Sequence, residues 1–542
     1  MSSQKSPRSH RSPRSRRSPD KDKDKDKNKN KDEDAVATAA AGLRAKSLSR
    51  RATRRWRSLV ATSRNRARWL RGICSDSGVC IAFGKETAKI REHLGNFVDP
   101  RFMRGVTPVG EPSSNGFVFR LAYERLGYNA SAILKCTREK QSDNLMFEYM
   151  AGQFANRMLK FFPCFVETYA LLRFNDEEDW IDLMTKANTK RRVDPRDLFT
   201  TKLRVLPQVL AKGDHSGSKT ELFSDVCSNA NLYAVLTENL VEAKPLKGFL
   251  NKREFLQQEL HLVLFQIYMP LSRLAKNFTH FDLHSSNVML YEPSPGKLIQ
   301  FEYFVPDPAN ATKTIKVRFY SRFVAKIIDY GRCFFEHTNA MESDIHKNNW
   351  RLKSSRILGA TCYYEACKPD CGRKFGFYFG NEEGKDNASR YYISWKQHNM
   401  SHDLQLVKSV LAAFQTDKQL LRTTNAGTAD VLYRVKASPP DSNKEDFGCP
   451  EVNEEKAAEK RAQDKDPGLG KIYNVRDMFS ALLTLLLTNV DLQSKNATYP
   501  RNKELLGTLT VYWDMGRQVV FTEHVLGQND KSYSRRVPTP TL

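Results

Sequence analysis

The run His280-Phe-Asp-Leu-His-Ser-Ser-Asn-Val-Met-Leu290 constrains this chain more than any other stretch. It sets a carboxylate, Asp282, and an amide, Asn287, five positions apart. The apolar helical pattern of Glu254 to Phe278 leads directly into it, and the β-type run Val288-Met-Leu-Tyr291 follows directly. A carboxylate in such a loop can accept the proton of an attacking hydroxyl, and an amide a turn later can help hold a cation. Further on, the apolar strand Phe323-Val-Ala-Lys-Ile-Ile ends in Asp329-Tyr-Gly331, which adds a second carboxylate at the end of its own strand.

Upstream, the spacing predicts a small β-rich region. Phe117 to Leu121 and Ser131 to Cys136 are short β-type runs separated by the turn-rich stretch Glu124 to Asn129. Before them lies Gly110-Glu-Pro-Ser-Ser-Asn-Gly116, whose small residues would let backbone amides approach an anion, with Gly116 and Val118 at its exit. Lys135 ends the apolar run Ala-Ile-Leu-Lys. Glu148 lies on the helical pattern Asn144 to Met158, from which a carboxylate could reach that lysine. After a polar stretch from Asn175 to Ser218, expected to be an insertion with helical pieces, the apolar strand from Tyr233 runs into Thr237-Glu238-Asn239-Leu240.

Taken in order, these segments resemble the motifs of protein kinases: the lysine strand, H-x-D-L-x-x-x-N, and Asp-x-Gly. A closer likeness, to the serine/threonine-kinase-like proteins of large double-stranded DNA viruses, is carried by four segments. They are Phe147 to Phe154 with Phe162 to Thr168, His280 to His284, Lys326 to Arg332, and Asn399 to Leu404. The resemblance covers about Gly105 to Val410 and implies a two-lobed α+β fold, with a small β-rich N-lobe and a larger helical C-lobe. Residues 75–236 would form the first and 237–542 the second, with a flexible insertion at 437–471.

The resemblance also implies roles. Asp282 would be the catalytic base, Lys135 held by Glu148 would grip ATP phosphates, and Asn287 and Asp329 would hold Mg2+. Gly116, Val118, Thr237, Glu238 and Leu240 would line the nucleotide pocket, and Asp403 would brace the catalytic loop. The implied activity is transfer of the ATP γ-phosphate to a serine or threonine of a protein substrate. The sequence departs from the family pattern at several points. His284 stands where many serine/threonine kinases carry Lys, Glu111 and Ser113 replace glycines, and no clear A-P-E follows Asp329. A small-molecule acceptor and a non-catalytic scaffold therefore stay open as alternatives.

Charge sets the N-terminal end apart. The chain of 542 residues carries a formal net charge of +25, and about two thirds of that excess lies before residue 75. Ser6, Ser12 and Ser18 each precede a proline, and residues 20–34 alternate Asp with Lys or Asn, a composition expected to be disordered. From Leu43 to Ile73 apolar residues including Trp56, Ala67 and Leu70 recur at helical spacing among arginines, a basic amphipathic pattern suited to nucleic acid or an anionic surface.

The ten cysteines lack regular spacing, so a reducing, intracellular setting is expected. A viral origin would place the chain in host cytoplasm or nucleus, or in the virion. Cys362, Cys367 and Cys371 could bind zinc with a further ligand, although no C-x-x-C pair is present. The most apolar run, Met478 to Val490, is shorter than the ~20 residues a membrane span needs.

Overall fold

A computed structural model of the chain describes residues 87–110, 116–138, 145–206, 230–336, 398–435, 474–490 and 504–523, with positions 64, 65, 67, 70, 84, 470–472, 492 and 493. The Ser-Pro repeats, the cysteine cluster, nearly all of the 437–471 insertion and the C-terminal end fall outside the described residues. One compact unit runs from Arg66 to Leu542. Ala67 and Leu70, on the apolar stripe of the basic segment, are helical and fully buried, so the end of that stripe belongs to the folded core.

Six antiparallel strands form the first sheet: β1 (Met103–Pro108), β2 (Gly116–Arg125), β3 (Tyr128–Thr137), β4 (Thr168–Phe174), β5 (Leu203–Val205) and β6 (Tyr233–Glu238). Their order is β1-β2-β3-β6-β4-β5. Strands β2 and β3 run longer than the apolar patches suggest, because a two-residue turn joins them. Leu126 and Gly127 both have positive φ, 54° and 77°, which matches the right-handed twist of a hairpin. Alternation decides what each face does. Phe117, Phe119, Leu121, Leu134, Leu172 and Leu236 are buried on one face. There they join Ile90 of helix α1 (Thr87–His93), Phe97, and Trp180 and Leu183 of helix α3 (Glu177–Asn188) in a single core. Val118, Ile133, Lys135 and Thr237 alternate with them and stay half-exposed on the other face.

Helix α2 (Leu145–Leu159) packs in a second core with Leu171, Tyr233 and Val235 from the sheet. That core continues through helix α4 (Leu260–Arg273), in which every residue from Leu260 to Ser272 is buried. The helical pattern expected from Glu254 to Phe278 is broken at Glu259. Its fully buried carboxylate accepts the hydroxyl of Ser321 at 2.6 Å and the amide of Arg322 at 3.3 Å. The core also takes in helices α5 (Gln405–Thr416), α6 (Ala426–Arg434) and α7 (Val475–Thr488).

The expected helical C-lobe needs correction, because it carries a sheet as well. Residues 292–322, to which the sequence pattern assigned no element, contain the whole of the long hairpin of β10 (Leu298–Asp307) and β11 (Asn310–Ser321). Strand β14 (Leu505–Tyr512) pairs parallel to β10, and β15 (Val520–Glu523) completes the order β11-β10-β14-β15. Ile299, Phe301, Tyr303 and Val305 point into the core while Gln300 and Glu302 point outward. Three short strands, β7 (Lys244–Pro245), β9 (Val288–Tyr291) and β12 (Val324–Ile327), and a pair, β8 (Phe278–Thr279) with β13 (Phe334–Phe335), frame the loops that matter next. No helix among the described residues is long and apolar enough to cross a membrane.

Candidate active site

Lys135 lies in the middle of the β2-β3-β6 ladder, opposite Val118 on one side and Val235 on the other. Its ammonium meets two carboxylates. Glu148 Oε2 of α2 and Asp329 Oδ1, which follows β12, are each 2.8 Å away. A strand, the helix that follows it 13 positions on and a turn 194 positions away thus converge on one cation. Burial raises the Asp329 carboxyl, but Lys135, aided by His280 and Arg332, more than offsets it and holds the group well below the ordinary range. Asp329 also has a left-handed backbone, φ 69° and ψ 72°, a conformation that costs energy for a residue with a side chain and must be held by its surroundings.

The loop from His280 is fixed from beneath. Asp403, almost fully buried, accepts the backbone N–H groups of His280 at 2.8 Å and Phe281 at 3.0 Å, one on each oxygen. These bonds grip a second strained residue, Phe281, at φ 61°. His280 Nε2–H donates to Ile328 O at 2.9 Å while its Nδ1 accepts from Asp282 N at 3.3 Å, which ties the loop to the strand that delivers Asp329. Burial pulls the His280 imidazole down to about 4, so it is neutral. Asn287 Nδ2 donates to Asp282 O at 2.9 Å, and Ile328 N–H donates to Asn287 O at 3.0 Å.

The Asp282 carboxylate has a neighbour on each oxygen: Arg332 Nη1 at 3.4 Å and His284 Nε2 at 3.8 Å. Ser286 N–H donates to His284 Nδ1, which leaves the proton on Nε2, facing Asp282. Burial lowers the His284 imidazole; Asp329 opposes this, and Arg332 and Lys247 reinforce it.

The donor set suits a hard cation. Asn287 spends its NH₂ on Asp282 O and keeps Oδ1, while Asp329 spends Oδ1 on Lys135 and keeps Oδ2, so oxygen ligands of the kind magnesium prefers remain. No cluster of three or more His, Cys, Asp or Glu suited to a metal occurs among the described residues.

The residues expected to line the nucleotide pocket sit on β2 and β6, the strands that flank Lys135, or just past the end of β6. Gly116 opens β2, where a Cβ would collide with Cys136 O, so packing against β3 demands glycine there. Thr237 and Leu240 are half-buried, Thr237 on the face that carries Lys135. Glu238 turns inward: its carboxylate accepts Glu167 N–H at 3.0 Å and lies 3.6 Å from Lys326 Nζ. Sequence reasoning missed that lysine, the hydroxyl of Tyr330 and the approach of Arg332 to Asp282. A lysine inside an otherwise apolar strand was the available signal for the first. A separate cavity of about 390 Å³, lined in part by Arg273, Arg476, Phe479 and Trp513, shares none of these residues.

No family model and no curated protein matches the chain. Among solved structures it is similar to a crystal structure of a kinase domain, at 11% identity with a TM-score of 0.25, covering 62% of this chain and 89% of that one. It is also similar to WaaP in complex with acyl carrier protein, at 10% identity with a TM-score of 0.20, covering 61% of this chain and 90% of that one.

Proposed function

We propose that the chain is an ATP- and magnesium-dependent phosphotransferase that passes the γ-phosphoryl group to a hydroxyl, with a serine or threonine of a protein as acceptor. The observation that supports it most is the Lys135 ammonium between Glu148 and Asp329, beside a loop that presents Asp282 and Asn287. Such a lysine, fixed by a carboxylate on a separate helix, is suited to the α- and β-phosphates. Asp282 would take the proton as the acceptor oxygen bonds to the γ-phosphorus and the bond to the β-phosphate oxygen breaks, releasing ADP. Asn287 and Asp329 would hold magnesium, which when bound offsets charge on the phosphates. Arg332 and His284 at Asp282 would orient it toward the acceptor.

His284 also favours a second reading, a small-molecule acceptor, because an imidazole there replaces the lysine of many serine/threonine kinases. The narrower viral resemblance rests on sequence motifs alone. Incubation of the full chain with γ-labelled ATP, a protein panel and a metabolite extract separates the readings. Label on protein serine or threonine, lost in Asp282→Ala, is the expected result. Label on a metabolite alone would replace the acceptor, and no label above the Asp282→Ala level would sink phosphotransfer.

A further inference from the structure

Beneath the Lys135–Asp329 pair lies a buried ionic chain that the phosphotransfer roles do not use. Lys326 is three positions before Asp329, and Glu238 is three positions after Val235, the ladder partner of Lys135. Both side chains are fully buried, with Nζ and Oε1 3.6 Å apart. The strap Cys164 to Glu167, between α2 and β4, is bonded at every residue to one or other strand or to the turn after β12. Ile327 N–H donates to Cys164 O at 2.7 Å, Lys326 Nζ donates to Phe165 O at 3.0 Å, and Val166 N–H donates to the Tyr330 hydroxyl at 2.7 Å. Glu167 exchanges bonds with Glu238: Glu238 N–H to Glu167 O at 2.7 Å, and Glu167 N–H to Glu238 Oε2 at 3.0 Å. Arg91 of α1 closes the row on Glu167 Oε1 at 3.1 Å.

Stability alone is a poor account of this pair. Taking two charges out of water is costly, and apolar residues of the same volume often do as well or better. A buried pair does fix register, because its partners tolerate few other arrangements. The register fixed here is that of the strand delivering Asp329 against the strand that flanks Lys135. We propose that Lys326 and Glu238 are positioning residues for phosphotransfer: a buried clamp that sets Asp329 at the distance from which it meets Lys135. The clamp rests on the phosphotransfer reading for its consequence, while its mechanical effect is measurable without it.

The test uses the full chain with Lys326→Met, Glu238→Gln and the double variant. Either single change is expected to lower kcat by about tenfold or more through misplacement of a reacting group, with KM for the acceptor unchanged. One clamp has one effect to lose, so the double variant should fall no further than the worse single variant. In nucleotide-free protein, hydrogen exchange over Lys326 to Gly331 should speed up in each variant, while α7 exchanges as before. Unchanged exchange overturns the clamp, whether or not the wild type transfers phosphate. Altered exchange with unchanged kcat, or losses in the singles that multiply in the double, overturns the positioning role. If the wild type transfers no phosphate, phosphotransfer fails and exchange alone judges the clamp. If Lys326→Met does not fold, the milder Glu238→Gln is judged by the same two readouts.

Discussion

Tyr330→Phe removes a single oxygen from the Asp-Tyr-Gly turn and should weaken the fold measurably. The ring is almost wholly buried, and its hydroxyl has two jobs. It accepts the N–H of Val166 at 2.7 Å and donates to the carbonyl of Ile327 at 2.9 Å. Phenylalanine would keep the ring contacts with Phe165 and His280 and leave the Val166 N–H facing carbon. An orphaned buried group costs about 1–3 kcal/mol, and a small gain from burying a less polar ring offsets part of it. The net expectation is a loss of about 2 kcal/mol, read as a drop of a few degrees in thermal midpoint. Calorimetry or urea unfolding of the two proteins measures it, with amide exchange at Val166 as the local reporter. An unchanged midpoint together with unchanged protection of that amide would refute the argument, since the hydroxyl would then be idle.

Two further outcomes follow from buried carboxylates. Asp403→Asn replaces one acceptor by an NH₂ group, so either His280 N–H or Phe281 N–H faces a donor; a loss of about 1–3 kcal/mol in unfolding free energy and a lower turnover are expected. Glu167, raised to about 7 mainly by burial and also by Glu238 against the pull of Arg91, has a folded value above its ordinary 4.5. The stability it contributes is therefore full below about 4.5 and lost as pH rises through about 7. Unfolding at pH 5 and pH 8 should show wild type losing up to about 3 kcal/mol relative to Glu167→Gln over that span. A pH-independent difference would count against a buried, titrating Glu167.

Local spacing made much of the site legible. Asp282 and Asn287 share one short loop, and Asp329 ends an apolar strand, so each was readable without knowing what it faces. Strands β9 and β12 follow the same logic, whereas the contact of Asp403 with the loop, some 120 positions away, was expected only from the kinase resemblance. Features that depend on distant partners were not readable. Strand β10 alternates Ile299, Phe301, Tyr303 and Val305 with outward residues, yet the Lys316 and Arg318 of its hairpin partner made the region look polar. Its other neighbour, β14, lies some two hundred residues later, beyond any window of periodicity. Glu238 was expected at the nucleotide pocket from a resemblance to the kinase hinge, while the buried lysine beside its carboxylate shows only in the fold. Gly116 had a packing reason that needs the position of Cys136 to be seen.

The parallel pairing of β10 with β14 has a consequence for biosynthesis. Lys297 and Glu504, which form an ion pair at the start of that ladder, stand 207 positions apart. A ribosome therefore releases β10 and β11 long before the strand that covers the flank of β10 exists. Through that interval the nascent chain carries an unprotected edge with aromatic residues beside it, the kind of edge that recruits strands from other chains. A message truncated before residue 505 would make this exposure permanent, so its product should aggregate even though every residue of the candidate site had been translated.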